Sequence, residues 1–309
     1  MNGPGAADRR RDVARVRADL AAAGLTAGIL VRDLADGAEI ALDADVAMPV
    51  ASLVKLPIAV ATIERVRRGE LDGSAPVTVE PGRMTVPGPP GTTRFRHPAS
   101  VALDDLLYLA VALSDSGAAD ALLALTPPDD VGRVLREMGV GGFTVRHGLA
   151  ELSETPAEAL HAHDPGLGYA LAATATRPNG SSAIRSLDTS VATTASARDV
   201  AGLLAEVWAA ERVHPVVSAR VRELMAANVH RQRLAPEFET DRSTWSSKTG
   251  TVLSLRHEAG VVEHRDGTTF VVVALSRSQA PAGAHPAAEA ALGRAARRLH
   301  DLLRRDRTA

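Results

Sequence analysis

Residues 52–69 read SLVKLPIAVATIERVRRG, an apolar run at helical spacing that opens on Ser52 and closes on Gly69. Its density of apolar residues predicts a buried helix, although Pro57 removes one backbone donor within it. Upstream, Val13, Val16 and Leu20 recur at helical spacing between Arg9 and Ala23, the pattern of an amphipathic helix. LTAGILVRDL (25–34) and EIALDADVAM (39–48) are apolar runs joined through Asp36 and Gly37 and predict a β-hairpin. Downstream, PGRMTVPGPPGTTRFRHP (81–98) is too rich in Pro and Gly for regular structure. Helical periodicity resumes over 100–126, and 144–194 gives no firm assignment. Two amphipathic helices follow over 196–213 and 214–229. Three β-type segments come next, 244–253, 256–264 and 268–276, the last two joined at Arg265-Asp266-Gly267, and a terminal amphipathic helix covers 287–305. Strands at both ends with helices between them predict an α/β (α+β) fold. Its antiparallel sheet is flanked by terminal helices, and a helical lobe is inserted. The sheet lobe is expected from 1–51 with 196–309, and the helical lobe from 52–195.

Composition bounds the chemistry. The 309 residues are 45% hydrophobic and 23% charged, with a net charge of −2, enough apolar material for one large domain or two interleaved lobes. Cysteine is absent, which excludes disulfides, a thiol nucleophile and thiolate metal sites. Positive and negative residues nearly cancel, 35 against 37, leaving no basic field for a nucleic acid. The N-terminus MNGPGAADRRRDVARVRADL places charge where a secretory leader needs an apolar core, and no later stretch suits a membrane span. As it stands the chain reads as cytoplasmic, or as secreted if a leader has been trimmed. A monomer acting on a small molecule, with no cofactor and no metal, is expected.

Of the 35 basic Lys and Arg residues only Lys55 and Lys248 are lysines. Arg is not deprotonated in proteins, whereas a desolvated Lys can act as a base, so both lysines become candidates. On a helix, Ser52 and Lys55 share a face and can come within hydrogen-bond reach, and an adjacent base is the usual remedy for a weak serine nucleophile. S-x-x-K alone is common, and Ser52 as a plain N-cap beside a surface Lys55 is the competing reading.

Ser114-Asp115-Ser116 and Lys248-Thr249-Gly250 add two further motifs in order. Together the three resemble the S-x-x-K, S-D-N and K-T-G elements of class A β-lactamases and penicillin-binding proteins, and the layout is similar over nearly the whole chain. The resemblance implies Ser52 as the acylated nucleophile and Lys55 as its base or base support. It implies Ser114 as proton relay to the leaving nitrogen, with Lys248 holding that hydroxyl. Thr249 and Thr251 would bind a substrate carboxylate, Gly250 would allow close backbone approach, and the Ser52 and Thr251 N–H groups would form the oxyanion hole.

Two departures bear on function. Ser116 stands where the resemblance has Asn, replacing a substrate-contacting amide by a shorter hydroxyl. The deacylating glutamate expected after the middle motif has Glu151 as its candidate, with Glu154 and Glu158 as competitors, and none lies in an E-x-x-L-N context. The resemblance therefore implies a serine hydrolase that opens a β-lactam through acyl-Ser52. The alternatives are a D-Ala-D-Ala peptidase or esterase, and a non-hydrolytic β-lactam binder. Arg256 is a candidate carboxylate partner. His161-Ala162-His163-Asp164 invites a metal reading but lacks a third ligand motif and reads as a solvated loop.

Overall fold

The computed structural model describes residues 4–81, 91–153, 180–279 and 286–306, with positions 164, 167, 170, 171 and 177. Helix α1 (Pro4–Ala22) leads into β1 (Leu25–Asp33) and β2 (Glu39–Leu42). Gly37, at φ +75°, supplies the left-handed residue of the turn between them. The short β3 (Met48–Pro49) precedes α2 (Lys55–Arg67), then β4 (Pro76–Val79), β5 (Ala99–Ala102), α3 (Leu103–Ala112), α4 (Ser116–Leu125), α5 (Pro128–Glu137) and α6 (Leu149–Ser153). After β6 (Thr194–Ala195) come α7 (Ala197–Ala209), α8 (Pro215–Ala226) and α9 (Ala235–Phe238). The chain returns to the sheet through β7 (Ser243–Val252), β8 (Leu255–His264) and β9 (Thr269–Ser278), and ends in α10 (Pro286–Asp306).

The five-stranded sheet is antiparallel in the order β2-β1-β9-β8-β7. Strand β1 therefore pairs with β9 from the far end of the chain, with Ile29 opposite Ala274. Period-two alternation divides the sheet between two cores. Ile29, Val31, Phe270 and Val272 pack under α1 and α10 with Val16, Leu20, Leu292 and Leu299. Leu30, Val261, Val271 and Val273 face the other core, shared with α2, α3, α7 and α8. Strands buried on both faces read as unbroken apolar runs, as residues 270–275 do.

The structure divides the helical stretch 100–126 in two. Ser114 takes a left-handed φ of +58°, which a helix cannot continue through. Asp115 then caps α4, accepting from Gly117 N (2.9 Å) and Ala118 N (3.2 Å). The sequence reading assigns nothing to α5, although its proline start, Asp129 and Asp130, and the apolar spacing of Val131, Val134 and Leu135 are helix signals. Pro57 falls in the first turn of α2, where a missing N–H breaks no helical bond. No described helix is long and apolar enough to cross a membrane.

Candidate active site

A strained turn presents Ser52. Val50 N donates to Thr193 O (3.0 Å), Ala51 adopts φ +48°, and residues 51–54 form one 3-10 turn before α2 starts at Lys55. Positive φ at a residue with a side chain is a local strain that surrounding contacts must hold. Ser52 makes no capping bond to α2, whose N-cap is Val54. The simple N-cap reading thus finds no support.

Lys55 is fully buried on the first turn of α2. Its Nζ donates to Ser114 O, to Ser116 Oγ (3.1 Å) and to Ser114 Oγ (3.4 Å). Ser52 Oγ is not among these partners. The amine sits one turn from Ser52 and is held on the Ser114–Ser116 turn, because a buried polar group needs fixed acceptors in place of water. Burial lowers its pKa to about 7, against the pull of Asp115 and Asp120. Ser116 is thereby committed to Lys55.

Lys248 reaches the same hydroxyl from the other side. It lies on β7, the edge strand, is fully buried, and donates to Ser114 Oγ (2.8 Å) and Thr249 O (2.8 Å). Burial, then the charges of Lys55 and Arg233, push its pKa well down. A hydroxyl has two acceptor sites and one proton. With both acceptor sites facing amines, the Ser114 proton is left for a third partner. Asp115 anchors this turn, accepting from Thr92 N (2.6 Å) and Thr92 Oγ1 (2.9 Å) as well as capping α4.

Two residues set the approach of β7 to the Ser52 turn. A Cβ at Gly250 would lie 2.7 Å from Val50 O and 3.2 Å from Leu53 Cγ, so only glycine lets β7 come this close to the Ser52 turn. His257 is fully buried and accepts from Ser276 N at Nδ1 (2.9 Å), which makes Nε2 the N–H donor to Pro49 O (2.9 Å). Burial lowers its pKa to about 4, so it stays a neutral pin between β8, β9 and the segment before Ser52.

Arg233, which sequence reasoning missed, supplies a buried cation beside the K-T-G strand. Its Nη2 donates to Thr251 Oγ1 (2.9 Å) and pairs with Glu289 Oε1 (2.9 Å), and Nη1 donates to His257 O (3.1 Å). Nothing in HRQRLAPEF distinguishes it among so many arginines. Arg256, the sequence candidate, is also buried, but its Nη1 donates to Ser254 O (3.2 Å) and its Nε lies 3.8 Å from Glu289 Oε1. The structure does not bring Arg256 into the lysine–serine cluster. Thr249 is buried, and strand alternation puts it on the face of Ser247 and Thr251.

Behind the strand, the buried Glu258 carboxylate accepts from Trp245 Nε1 (2.9 Å), Ser247 Oγ (2.9 Å), Arg233 N (3.0 Å) and Leu234 N (2.9 Å). Burial pushes its pKa up while these donors oppose the rise. Glu258→Gln must turn an amide NH2 toward two of the donors. We expect a loss of about 2–4 kcal/mol in unfolding free energy, since each unsatisfied buried donor costs roughly 1–3 kcal/mol. Urea unfolding measures it, and an unchanged midpoint would exclude a structural role for this network.

Glu151 is exposed, and its Oε1 accepts from Gly148 N (2.9 Å) within its own turn. The structure does not bring it to Ser52 or Lys55. The carboxylates that act on Lys55 are Asp115, then Asp120, which accepts from Leu149 N (2.6 Å) and Ala150 N (2.8 Å) and so docks α6. The position of Asp120 in an apolar helical run carried no motif signal. Glu154, Glu158, His161 and His163 lie outside the described residues. Among the described residues no group of His, Asp and Glu is arranged to hold a metal.

Two buried amines, Lys55 from α2 and Lys248 from the edge strand β7, thus converge on Ser114 Oγ, with Ser52 on the strained turn that precedes α2. The chain belongs to the beta-lactamase enzyme family, whose model matches residues 9–303. It is 51% identical over 292 residues, 91% of this chain and 94% of the relative, to the beta-lactamase regulatory protein BlaB of Streptomyces cacaoi. Its fold is similar to that of a PBP-A mutant solved as an acyl-enzyme with penicillin G (TM-score 0.74, 18% identity, 96% of this chain and 97% of that one). It is also similar to a mutant class A β-lactamase of the last common ancestor of Gram-negative bacteria (TM-score 0.75, 19% identity, 95% and 98% covered).

Proposed function

We propose that Ser52 is acylated by a β-lactam, or by a related carboxylate-bearing amide or ester, and that the acyl-enzyme is long-lived. The convergence of Lys55 and Lys248 on Ser114 Oγ carries this reading. Neutral Lys55 takes the Ser52 proton as Oγ attacks the carbonyl, and the oxyanion is held by the N–H groups of Ser52 and Thr251. As the C–N bond breaks, Ser114 gives its proton to the leaving nitrogen and is reprotonated from Lys55. Lys248 and Arg233 supply the positive field for the carboxylate, with Thr249 and Thr251 as hydroxyl donors.

A long-lived acyl group is supported by what surrounds Lys55 among the described residues. Its bonded partners are hydroxyls and a carbonyl, and Glu151 is engaged with Gly148. No described carboxylate is bonded to Ser52 or Lys55 to activate water. A lasting adduct suits a β-lactam-responsive regulator, which is consistent with the name of the Streptomyces relative. The measurement is intact mass after mixing with benzylpenicillin, alongside hydrolysis of a chromogenic cephalosporin. We expect a stoichiometric adduct that outlasts the assay and is absent in Ser52→Ala. Rapid turnover would instead support hydrolysis with a base such as Glu154 or Glu158. No adduct would overturn acylation by a β-lactam and leave an esterase or an inactive relative.

A further inference from the structure

The turn that presents Ser52 is held by a side chain that the acylation chemistry leaves unused. Ala51 carries a side chain at φ +48°, so surrounding contacts must keep its conformation. His257 is one such contact, donating to Pro49 O (2.9 Å). Strand β6 is another, but it pairs with β3 over two residues only, Met48 with Ala195 and Pro49 with Thr194, and Pro49 has no N–H to give. The next donor along the chain, Val50 N, reaches Thr193 O (3.0 Å). The grip of this strand on the nucleophile segment therefore depends on where Thr193 is placed.

Thr193 is buried and is placed by the residues just before α6. Its N donates to His147 Nε2 (3.0 Å), and its Oγ1 accepts from Arg146 N (3.2 Å). Thr144 O holds the following peptide by a longer bond from Thr194 N (3.3 Å). His147 is partly buried, and its Nδ1 lies 2.8 Å from Gly148 O. A backbone N–H only donates and a carbonyl only accepts, so Nε2 carries the lone pair and Nδ1 the proton. These two bonds fix one neutral tautomer. Imidazolium, with a proton on each nitrogen, would set an N–H against the N–H of Thr193.

We propose that His147 is a positioning residue for the nucleophile: as a neutral hydrogen-bond acceptor it holds Thr193, and through the bond from Val50 N to Thr193 O it holds the Ser52 turn. This rests on the reading of Ser52 as the acylated group. His147 lies outside the three motifs and acts on Ser52 only through this chain of bonds. Lys248, Thr249 and Thr251, the groups assigned to the ligand carboxylate, stand on β7 and are not part of the chain. Loss of the acceptor therefore slows acylation and leaves the binding of unreacted ligand as it is.

Three measurements on the full chain test this. Nitrogen NMR of the native protein reads the imidazole tautomer, and amide hydrogen exchange reads Val50. Benzylpenicillin adduct formation, followed by mass over a range of concentrations, separates the dissociation constant of the first complex from the rate of acylation. We expect the Nδ1–H tautomer at His147. In His147→Ala, Val50 N should exchange about tenfold faster, the upper end of what one hydrogen bond contributes. Acylation of that variant should slow about 10²-fold, as for a misplacement near 1 Å, with the dissociation constant unchanged. His147→Gln keeps an acceptor oxygen at similar reach and should restore both. An Nε2–H tautomer, or Val50 exchange equal in wild type and His147→Ala, would overturn the inference, as would equal acylation rates in all three proteins. A wild type that forms no adduct would overturn acylation of Ser52 by a β-lactam, and Val50 exchange would then decide by itself whether His147 holds the turn.

Discussion

Lys55→Arg abolishes acylation of Ser52, with an expected loss of at least about 10²–10⁴-fold, the range that general base catalysis contributes. The reason is proton affinity. Lys55 is fully buried and its pKa falls to about 7, so roughly half is unprotonated at neutral pH and available to accept the Ser52 proton. A guanidinium keeps its proton at any pH compatible with folding and keeps the charge while losing the base.

The native protein supplies an independent check that no replacement can confound. A base must be neutral, so the acylation rate should fall about tenfold per pH unit below pH 7 and level off above it. Stopped-flow acylation by a fluorescent penicillin reads both results. Full acylation by the variant, or a wild-type rate flat from pH 5 to 8, would remove Lys55 from the role of base.

Gly250→Ala is expected to lower acylation about 10²-fold and to cost about 1–3 kcal/mol of stability. A misplacement near 1 Å costs rate on that order, and overpacking costs that much stability. The added Cβ would meet Val50 O at 2.7 Å, and this is a backbone atom already accepting from Leu53 N (3.0 Å). It cannot rotate away as a side chain does. The strand must retreat from the Ser52 turn and take Lys248 with it, loosening its bond to Ser114. Gly202→Ala is the matched control: it lies in α7 with nothing within 4 Å of the new Cβ, so stability should hold or rise by up to about 1 kcal/mol. Equal acylation by both variants would show that the approach of β7 does not set the geometry of the site.

The architecture was legible because the signals behind it are local. Apolar periodicity marked α1, α2, α7, α8 and α10, and the Arg265-Asp266-Gly267 turn marked the β8–β9 hairpin. The long helix read over 100–126 failed at Ser114, where a left-handed residue breaks the helix and turns its carbonyl onto Lys55. Arg233, Asp120, His257 and Glu258 were not legible as a group. Each is an ordinary polar residue in its own segment, and each gains its role from partners 18 or more positions away, apart from the short Trp245 and Ser247 contacts of Glu258.

What the amino-acid order determines alone is the identity of the reactive groups and the surfaces each element must bury, because residue chemistry and the periods 3.6 and 2 are properties of short segments. The three ordered motifs and the family follow from it. Where each proton resides was decided only by the tertiary structure. Desolvation of Lys55, the two amines on Ser114, the turning of Glu151 onto Gly148, and the bond of Arg233 to Thr251 depend on burial and on distances of a few ångströms. Those quantities come from segments far apart in sequence, and no local pattern encodes them.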